Sequence, residues 1–367
     1  METRSNSRNQ HIDALRGVAI LCVLVLHFAL AYDLKNSPIG LLPAWLRRAA
    51  YQGNFGVTIF FTLSGYLIVS MSLRRWGDLA HIKLREFYVY RAARILPCLL
   101  LALAIIVALG LLDIPFFDND ALPHSYFLIA VGSILTFWHN QLMQSAGYFN
   151  YCLNVYWSLS VEEMFYLLLP VSCLLLRKRL PILLLCAVAI VAGPVYRSQH
   201  TDNEIYFMYG YLACFDAIAI GCVTALLMQR WQATARQALV LRWLSGLVLA
   251  ALYVRGIHGH EVFGFTLVAL ATAGCILGAG EARGKPGVLQ WLGRHSYEIY
   301  LFHIIVLAAL RNVVDKPQLG YAATLPWFLV FILLTALVAA AVARFVSDPA
   351  NAAIRRTWMR KTHNDIG

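Results

Sequence analysis

Long apolar segments separated by short polar stretches recur along the chain from residue 12 to residue 346. A hydrocarbon core about 30 Å thick takes roughly 20 apolar residues per helical span. Windows of that length predict ten spans, near residues 12–33, 54–73, 87–111, 155–176, 180–196, 207–229, 238–254, 262–280, 296–314 and 324–346. The pattern therefore predicts an all-α polytopic membrane protein. Residues 1–367 would form a single membrane-embedded domain with short N- and C-terminal tails.

An eleventh apolar segment, residues 125–138, is only 14 residues long, a length more typical of re-entrant or interfacial segments than of spans. With ten spans and a cytoplasmic N-terminus, 23 of the 30 Lys and Arg residues lie inside, which is a strong positive-inside bias. A crossing at residues 125–138 would move Arg177, Lys178 and Arg179 to the outer side. We therefore expect ten spans, one partial segment and two cytoplasmic termini. The first span follows a polar segment and is too long for a cleaved signal peptide.

Composition agrees with this topology, because 60% of the residues are hydrophobic and 13% are charged, with a mean hydropathy of +0.65. The net charge of +11 comes from basic residues at span ends, where topology and anionic lipid headgroups account for them. We therefore expect membrane lipids, and no nucleic acid, as partners. The eight cysteines lie mostly in apolar helices without paired CxxC spacing, which favours buried small hydrophobes over metal or disulfide sites.

The first predicted span carries three ionisable residues, Asp13, Arg16 and His27, on one helical face. His27 lies about three turns, roughly 16 Å, deeper than Arg16. Ionisable groups in a span are costly and usually face a bundle interior or a wet cavity. Asp13 and Arg16 can pair, and a neutral imidazole can take a proton from a hydroxyl. The alternative is an orientation-setting arginine and a core histidine bonded to a neighbouring helix.

Two further arginines, Arg91 and Arg94, lie three residues apart at the start of the third span and point the same way. Together with Arg16 they predict a clamp for a phosphorylated cytoplasmic ligand. Lipid phosphate is the alternative partner. In the second span, Ser64 and Gly65 form a small polar notch that a helix or a ligand can approach closely.

Acidic residues occur in three more spans. Glu162 and Glu163 are adjacent in the fourth predicted span, and adjacent helical residues diverge by about 100°. We therefore expect only one of them, Glu162, to face a cavity. Asp216, and Glu298 with His303, extend the pattern, although each could instead make a hydrogen bond between helices.

Five motifs follow one another in order over nearly the whole chain. They are Asp13-x-Leu-Arg-Gly with a His eleven positions after the Arg, Phe60-Phe-x-Leu-Ser-Gly-Tyr-Leu, Arg91-x-x-Arg-Ile, Trp157-Ser-Leu-x-x-Glu and Ser296-Tyr-x-x-Tyr-Leu-x-His. This series resembles the acyltransferase-3 family. The segment Arg344 to Pro349 looks like a degraded form of that family's final acidic-Pro segment.

The resemblance implies a ten-span O-acyltransferase of the bacterial inner membrane. Such an enzyme moves an acyl group, most often acetyl, from cytoplasmic acetyl-CoA to a hydroxyl of an extracytoplasmic glycan or lipid-linked sugar. The coenzyme is a co-substrate, and no metal is expected. Some relatives carry an added hydrolase-like domain, and we expect none in this chain.

The resemblance also implies roles for individual residues. Arg16 and His27 would be the essential pair, supported by Asp13 and Glu162, and Arg91 and Arg94 would bind the donor. We assign Arg16, Ser64 and Tyr66 to the donor site as well. We expect supporting polar roles for five more residues, namely Trp157, Ser158, Asp216, Tyr297 and His303. His27 would act as a general base or as a transient acyl carrier, and the sequence leaves both open.

Two other functional classes are compatible with the same polar residues when the motif series is left aside. Transporters also place His, Arg and acidic side chains inside spans, although no repeated halves are apparent here. A catalytically silent scaffold would need no polar stripe that leads inward from one membrane face. The motif series favours the enzyme over both.

Overall fold

The computed structural model describes residues 9–34, 38–41, 43–118, 124–280 and 285–364. No strand occurs within these ranges, and the chain there forms α-helices joined by turns and short 3-10 helices. The α-helices are α1 Gln10–Tyr32, α2 Ala44–Ala49, α3 Asn54–Trp76, α4 Leu84–Leu111, α5 His124–Leu135, α6 His139–Ala146, α7 Trp157–Leu176, α8 Arg179–Ser198, α9 Glu204–Tyr209, α10 Tyr211–Met228, α11 Ala235–Arg255, α12 Gly264–Leu277, α13 Val288–Arg294, α14 Ser296–Val313, α15 Thr324–Val342 and α16 Asp348–Asn364. The all-α polytopic fold predicted from the sequence is confirmed.

Nine helical segments within the described residues are long and apolar enough to cross a bilayer. The predicted eighth span, residues 262–280, is the 14-residue helix α12, about 21 Å long at 1.5 Å per residue. The predicted span was longer than the helix because the apolar stretch in the sequence includes turn residues at both ends of α12. Helix α12 still runs antiparallel to α11, since a Cβ on Gly278 would lie 2.7 Å from the carbonyl oxygen of Ala238. The predicted partial segment forms the short helix α5.

Helix α1 begins and ends through local contacts. The Asn9 side chain accepts a hydrogen bond from the backbone N–H of His11 at 2.9 Å, which satisfies a donor that the first helical turn leaves unpaired. At the other end, Asp33 adopts a left-handed conformation with φ 48° and donates its N–H to the carbonyl of Ala29. These two caps fix the span that carries Arg16 and His27.

Helices α3 and α10 form the centre of the bundle. A Cβ on Gly65 would lie 2.0 Å from the carbonyl oxygen of Ile218, and a Cβ on Gly221 would lie 2.0 Å from that of Thr62. The two backbones can approach this closely only because both positions are glycine. Helix α11 lies at the periphery of the bundle. Only 6% of its most apolar 18-residue stretch is buried, compared with 72% for α3.

Basic residues mark one end of the bundle, which we call the basic end. Helices α1, α4, α8, α11 and α14 run from this end to the opposite end, and α3, α7, α10, α12 and α15 return. The last span does not stop near residue 346 as predicted. A π-helical segment, Ala343–Ser347, joins α15 to α16, which packs beside the first half of α4.

Candidate active site

The basic end contains a cavity of about 930 Å³, including its opening, between α1, α3, α4, α7 and α14. We call it the arginine cavity because Arg16, Arg91 and Arg94 line it. Arg16 is 8% exposed and donates from Nη2 to Oγ of Ser296 at 2.8 Å. The structure therefore brings together the three arginines that the sequence analysis grouped as a phosphate clamp.

Both adjacent glutamates line the arginine cavity, so the expectation that only Glu162 would face it is wrong. Glu162 accepts hydrogen bonds from Ser64 of α3 and from Tyr166 one turn later on α7. Glu163 pairs with Nη2 of Arg91 from α4 at 3.2 Å. The cavity extends over both faces of α7 because α3 and α4 flank that helix on different sides.

Asp13 does not line the arginine cavity, and its carboxylate pairs with Nε of Arg294 at 3.3 Å. This contact ties the start of α1 to α13. The predicted pairing of Asp13 with Arg16 stays a prediction.

A second cavity of about 1360 Å³, including open space, lies at the opposite end of the bundle. His27 lines it together with aromatic, amide and acidic side chains, so we call it the aromatic cavity. Its aromatic and amide residues are Tyr51, Gln52, Asn54, Tyr148, Tyr151, Asn154, Trp157 and Tyr209. Partial burial raises the pKa of the Tyr148 phenol, which therefore stays a neutral hydrogen-bond donor near neutral pH.

The contacts of His27 indicate which of its nitrogens carries the proton. Nδ1 of His303 lies 2.7 Å from the carbonyl oxygen of Tyr300 and must donate, because a carbonyl oxygen only accepts. Nε2 of a neutral His303 is then an acceptor, and it lies 3.2 Å from Nδ1 of His27. The carbonyl of Val23, 3.0 Å from the same Nδ1, can likewise only accept. Neutral His27 is therefore protonated at Nδ1, and Nε2 keeps its lone pair.

The two cavities are separated by a thin layer of side chains. The hydroxyl of Tyr300 lies 2.6 Å from Oγ of Ser158, which lines the arginine cavity, and donates to the carbonyl of Val155, which lines the aromatic cavity. Beside it, the rings of Phe61 and Trp157 meet edge to face at 5.9 Å. The sequence predicts one polar stripe on α1 that joins Arg16 to His27, whereas the structure places these two residues on opposite sides of this layer.

Comparison with known proteins identifies the chain's family. Residues 9–344 match the model of the acyltransferase domain of the acyltransferase-3 family. The chain belongs to the acyltransferase-3 family. A putative O-acetyltransferase of Staphylococcus aureus (strain COL) is 25% identical over 370 residues, which cover 92% of this chain and 56% of the relative. O-acetyltransferase OatA of S. aureus (strain NCTC 8325 / PS 47) is 26% identical over 379 residues, with the same coverage.

The chain thus spans about half the length of the curated relatives that it matches. No solved structure is significantly similar to it. Within the described residues, no cluster of His, Cys, Asp and Glu could hold a metal ion.

Two further residues of the predicted site, Tyr66 and Asp216, line neither cavity. Tyr66 packs against the hydrophobic core and is not part of the arginine cavity wall. Asp216 is fully buried and accepts from Nη2 of Arg197 at 2.7 Å, while Thr266 contacts the same carboxylate at 2.6 Å. This buried network joins α8, α10 and α12, and it satisfies charges that would otherwise be costly in the bilayer.

The structure adds site residues that were not singled out from the sequence, and two of them, Tyr300 and Ser296, belong to the fifth acyltransferase-3 motif. Tyr166 lies four residues after Glu162, a helical neighbour spacing, and its ring lies 3.5 Å below the guanidinium of Arg91. Tyr300 lies midway between Tyr297 and His303, both of which were selected. Ser296, the partner of Arg16, starts the same helix.

Proposed function

We propose that this protein transfers an acyl group, acetyl by analogy with its named relatives, from a coenzyme A thioester at the basic end to a hydroxyl at the opposite end. The single observation that carries the proposal is the placement of α1. Its Arg16 lines the arginine cavity and its His27 lines the aromatic cavity. One helix thus connects a site suited to an anionic donor with a site suited to a hydroxyl acceptor.

The donor end fits a phosphorylated thioester. Guanidinium groups bind phosphates bidentately and are more weakly hydrated than ammonium groups. Arg91 and Arg94 lie on both the arginine cavity and an adjoining hollow at the basic end. The inner part of the arginine cavity is more apolar, with Phe60, Phe61 and Leu301 in its wall, and suits the thioester arm. Acetyl-CoA is made in the cytoplasm, so we place the basic end there, in a bacterial inner membrane.

The acceptor end fits a sugar. Aromatic faces pack against the apolar faces of a sugar ring, and amide and phenol groups hydrogen-bond its hydroxyls. Tyr148 and Tyr209, whose hydroxyls lie 3.3 Å apart, and Asn154 offer such groups. We therefore propose a glycan or lipid-linked sugar as the acceptor.

His27 acts as the general base in this proposal. The lone pair of its Nε2 takes the proton of the acceptor hydroxyl, and the hydroxyl oxygen attacks the thioester carbonyl carbon. The carbon–sulfur bond breaks, and the departing thiolate receives the proton from His27. For the thioester to reach His27, the contacts of Tyr300 with Ser158 and Val155 must open. The family match favours this reaction over the transporter that the residues alone also allowed.

The test is replacement of His27 by Ala, with acetylated product measured in membranes supplied with radiolabelled acetyl-CoA. We expect a loss of about 10²-fold or more, as for removal of a general base. His81→Ala, an exposed histidine in the turn before α4, is the matched control and should retain full turnover. Normal product formation by correctly inserted His27→Ala protein would refute the proposal.

A further inference from the structure

The hollow that adjoins the arginine cavity has a volume of about 1010 Å³, including open space, and opens at the basic end. We call it the mouth. Five arginines line it, namely Arg74, Arg75, Arg91, Arg94 and Arg355. Glu86 pairs with Arg75, and Glu163 pairs with Arg91. The wall of the mouth is therefore rich in positively charged side chains.

One of these arginines comes from an unexpected element. Arg355 lies on α16, beyond residue 344, where the family match ends. Asn351, Arg355 and Trp358 share the more buried face of α16, at i, i+4 and i+7. The guanidinium of Arg85 on α4 lies 4.6 Å from the Trp358 ring. This face is thereby held against the start of α4.

The guanidinium of Arg355 is fixed beside a second cation. It lies 4.7 Å from the centre of the Tyr90 ring, and the guanidinium of Arg75 lies 4.1 Å from the same ring. Two like charges on one aromatic ring repel each other, and the carboxylate of Glu86 pairs with the Arg75 member of this pair. The tyrosine positions both arginines toward the mouth.

Two buried donors at the mouth also lack partners. Within the described part of the chain, neither Nε of Arg91 nor Nε of Arg355 has a hydrogen-bond acceptor. A buried guanidinium N–H without an acceptor is costly, and both residues line the same hollow. An anion bound in the mouth would offer an acceptor to both groups.

We propose that Arg355 binds a phosphate of the nucleotide end of the thioester donor, so that α16 completes the donor site from outside the matched domain. This inference rests on the proposed function and adds a residue and an element to it. Arg91 and Arg94 hold the donor where the mouth meets the arginine cavity, and Arg355 holds it further out. A lipid headgroup phosphate is the other source of the same chemistry, and the experiment separates the two.

The experiment measures the Kd of the purified full-length chain for coenzyme A and for pantetheine, which has the same thiol arm but no phosphate. Arg355→Ala should weaken coenzyme A binding about tenfold, as for loss of one charge-assisted hydrogen bond, and should leave pantetheine binding unchanged. Arg355→Lys, which keeps the charge but not the bidentate geometry, should give an intermediate Kd. Arg356→Ala removes an exposed charge from the same helix and should match the wild type.

Several results would overturn the inference. Equal coenzyme A affinity of Arg355→Ala and wild type, or equal weakening for both ligands, excludes a phosphate contact to the donor. An effect of Arg355→Ala that appears only when anionic lipid is added assigns the phosphate to a headgroup and also overturns it. Arg94→Ala is the control that separates the proposed donor site from the role of α16. If Arg94→Ala weakens coenzyme A binding and Arg355→Ala does not, only the role of α16 is refuted. A wild type that binds no coenzyme A removes the proposed function itself.

Discussion

At the scale of single residues, His27 depends on a second histidine for its orientation. Nε2 of His303 accepts from Nδ1 of His27 at 3.2 Å, and the rings lie 4.8 Å apart. His303 is itself held by the carbonyl of Tyr300. Both histidines were predicted as site residues from the sequence, but their contact was not. No pattern along the chain indicates which faces of α1 and α14 meet.

His303 should therefore act as a positioning residue. We expect His303→Leu, which removes the acceptor, to lower kcat roughly tenfold, since the net worth of a hydrogen bond is of that order. The KM for the donor should not change, because His303 lies outside the arginine cavity. His303→Gln offers an amide oxygen to Nδ1 of His27 and should recover part of kcat. Steady-state kinetics with acetyl-CoA check this, and equal loss in both variants would indicate a purely structural role.

The glutamate pair shows where residue-level reasoning from sequence failed. The 100° divergence of Glu162 and Glu163 is correct for a helix, but it excludes a shared site only if the site is narrow. Here Glu162 bonds to Ser64 of α3 and Glu163 to Arg91 of α4. The width of the cavity is set by how α3 and α4 are placed around α7, and this placement is not encoded in any one segment.

At the scale of elements, the central contact between α3 and α10 depends on two glycines. We expect Gly221→Ala to destabilise the protein by about 1–3 kcal/mol, the usual cost of overpacking, because the new Cβ would lie 2.0 Å from the carbonyl oxygen of Thr62. Gly246→Ala on α11 is the matched control, with nothing within 4 Å of its Cβ, and should be neutral or slightly stabilising. Thermal unfolding in detergent measures both, and equal melting temperatures would contradict this packing.

Element positions were predictable where long apolar runs determine them. The predicted spans 54–73, 180–196 and 296–314 agree with α3, α8 and α14 within a few residues. Helix α12 was predicted too long because apolar turn residues are indistinguishable from helical ones by hydropathy alone. Helix α16 was missed because it is polar, and a polar helix at a span end carries little periodic signal.

At the scale of the whole molecule, the basic end should face the cytoplasm. The native cysteines give little background for thiol labelling, because seven are buried and Cys22 is half-buried. We expect Lys178→Cys, in the exposed turn between α7 and α8, to react with a membrane-impermeant maleimide only after cells are opened. Asp202→Cys, in the exposed turn after α8, should react in intact cells. The reverse pattern would invert the proposed direction of transfer.

The layer of Phe61, Trp157 and Tyr300 has a consequence for the cell as well as for the reaction. Two large hollows that enter a bilayer from opposite faces would form a pore if they joined, and a pore would let protons and ions run down their gradients. In the proposed reaction, this layer of packed side chains would keep the two hollows apart while the donor and the acceptor bind on its two sides. The proposed transfer would thus carry an acyl group from one hollow to the other without opening a path for ions.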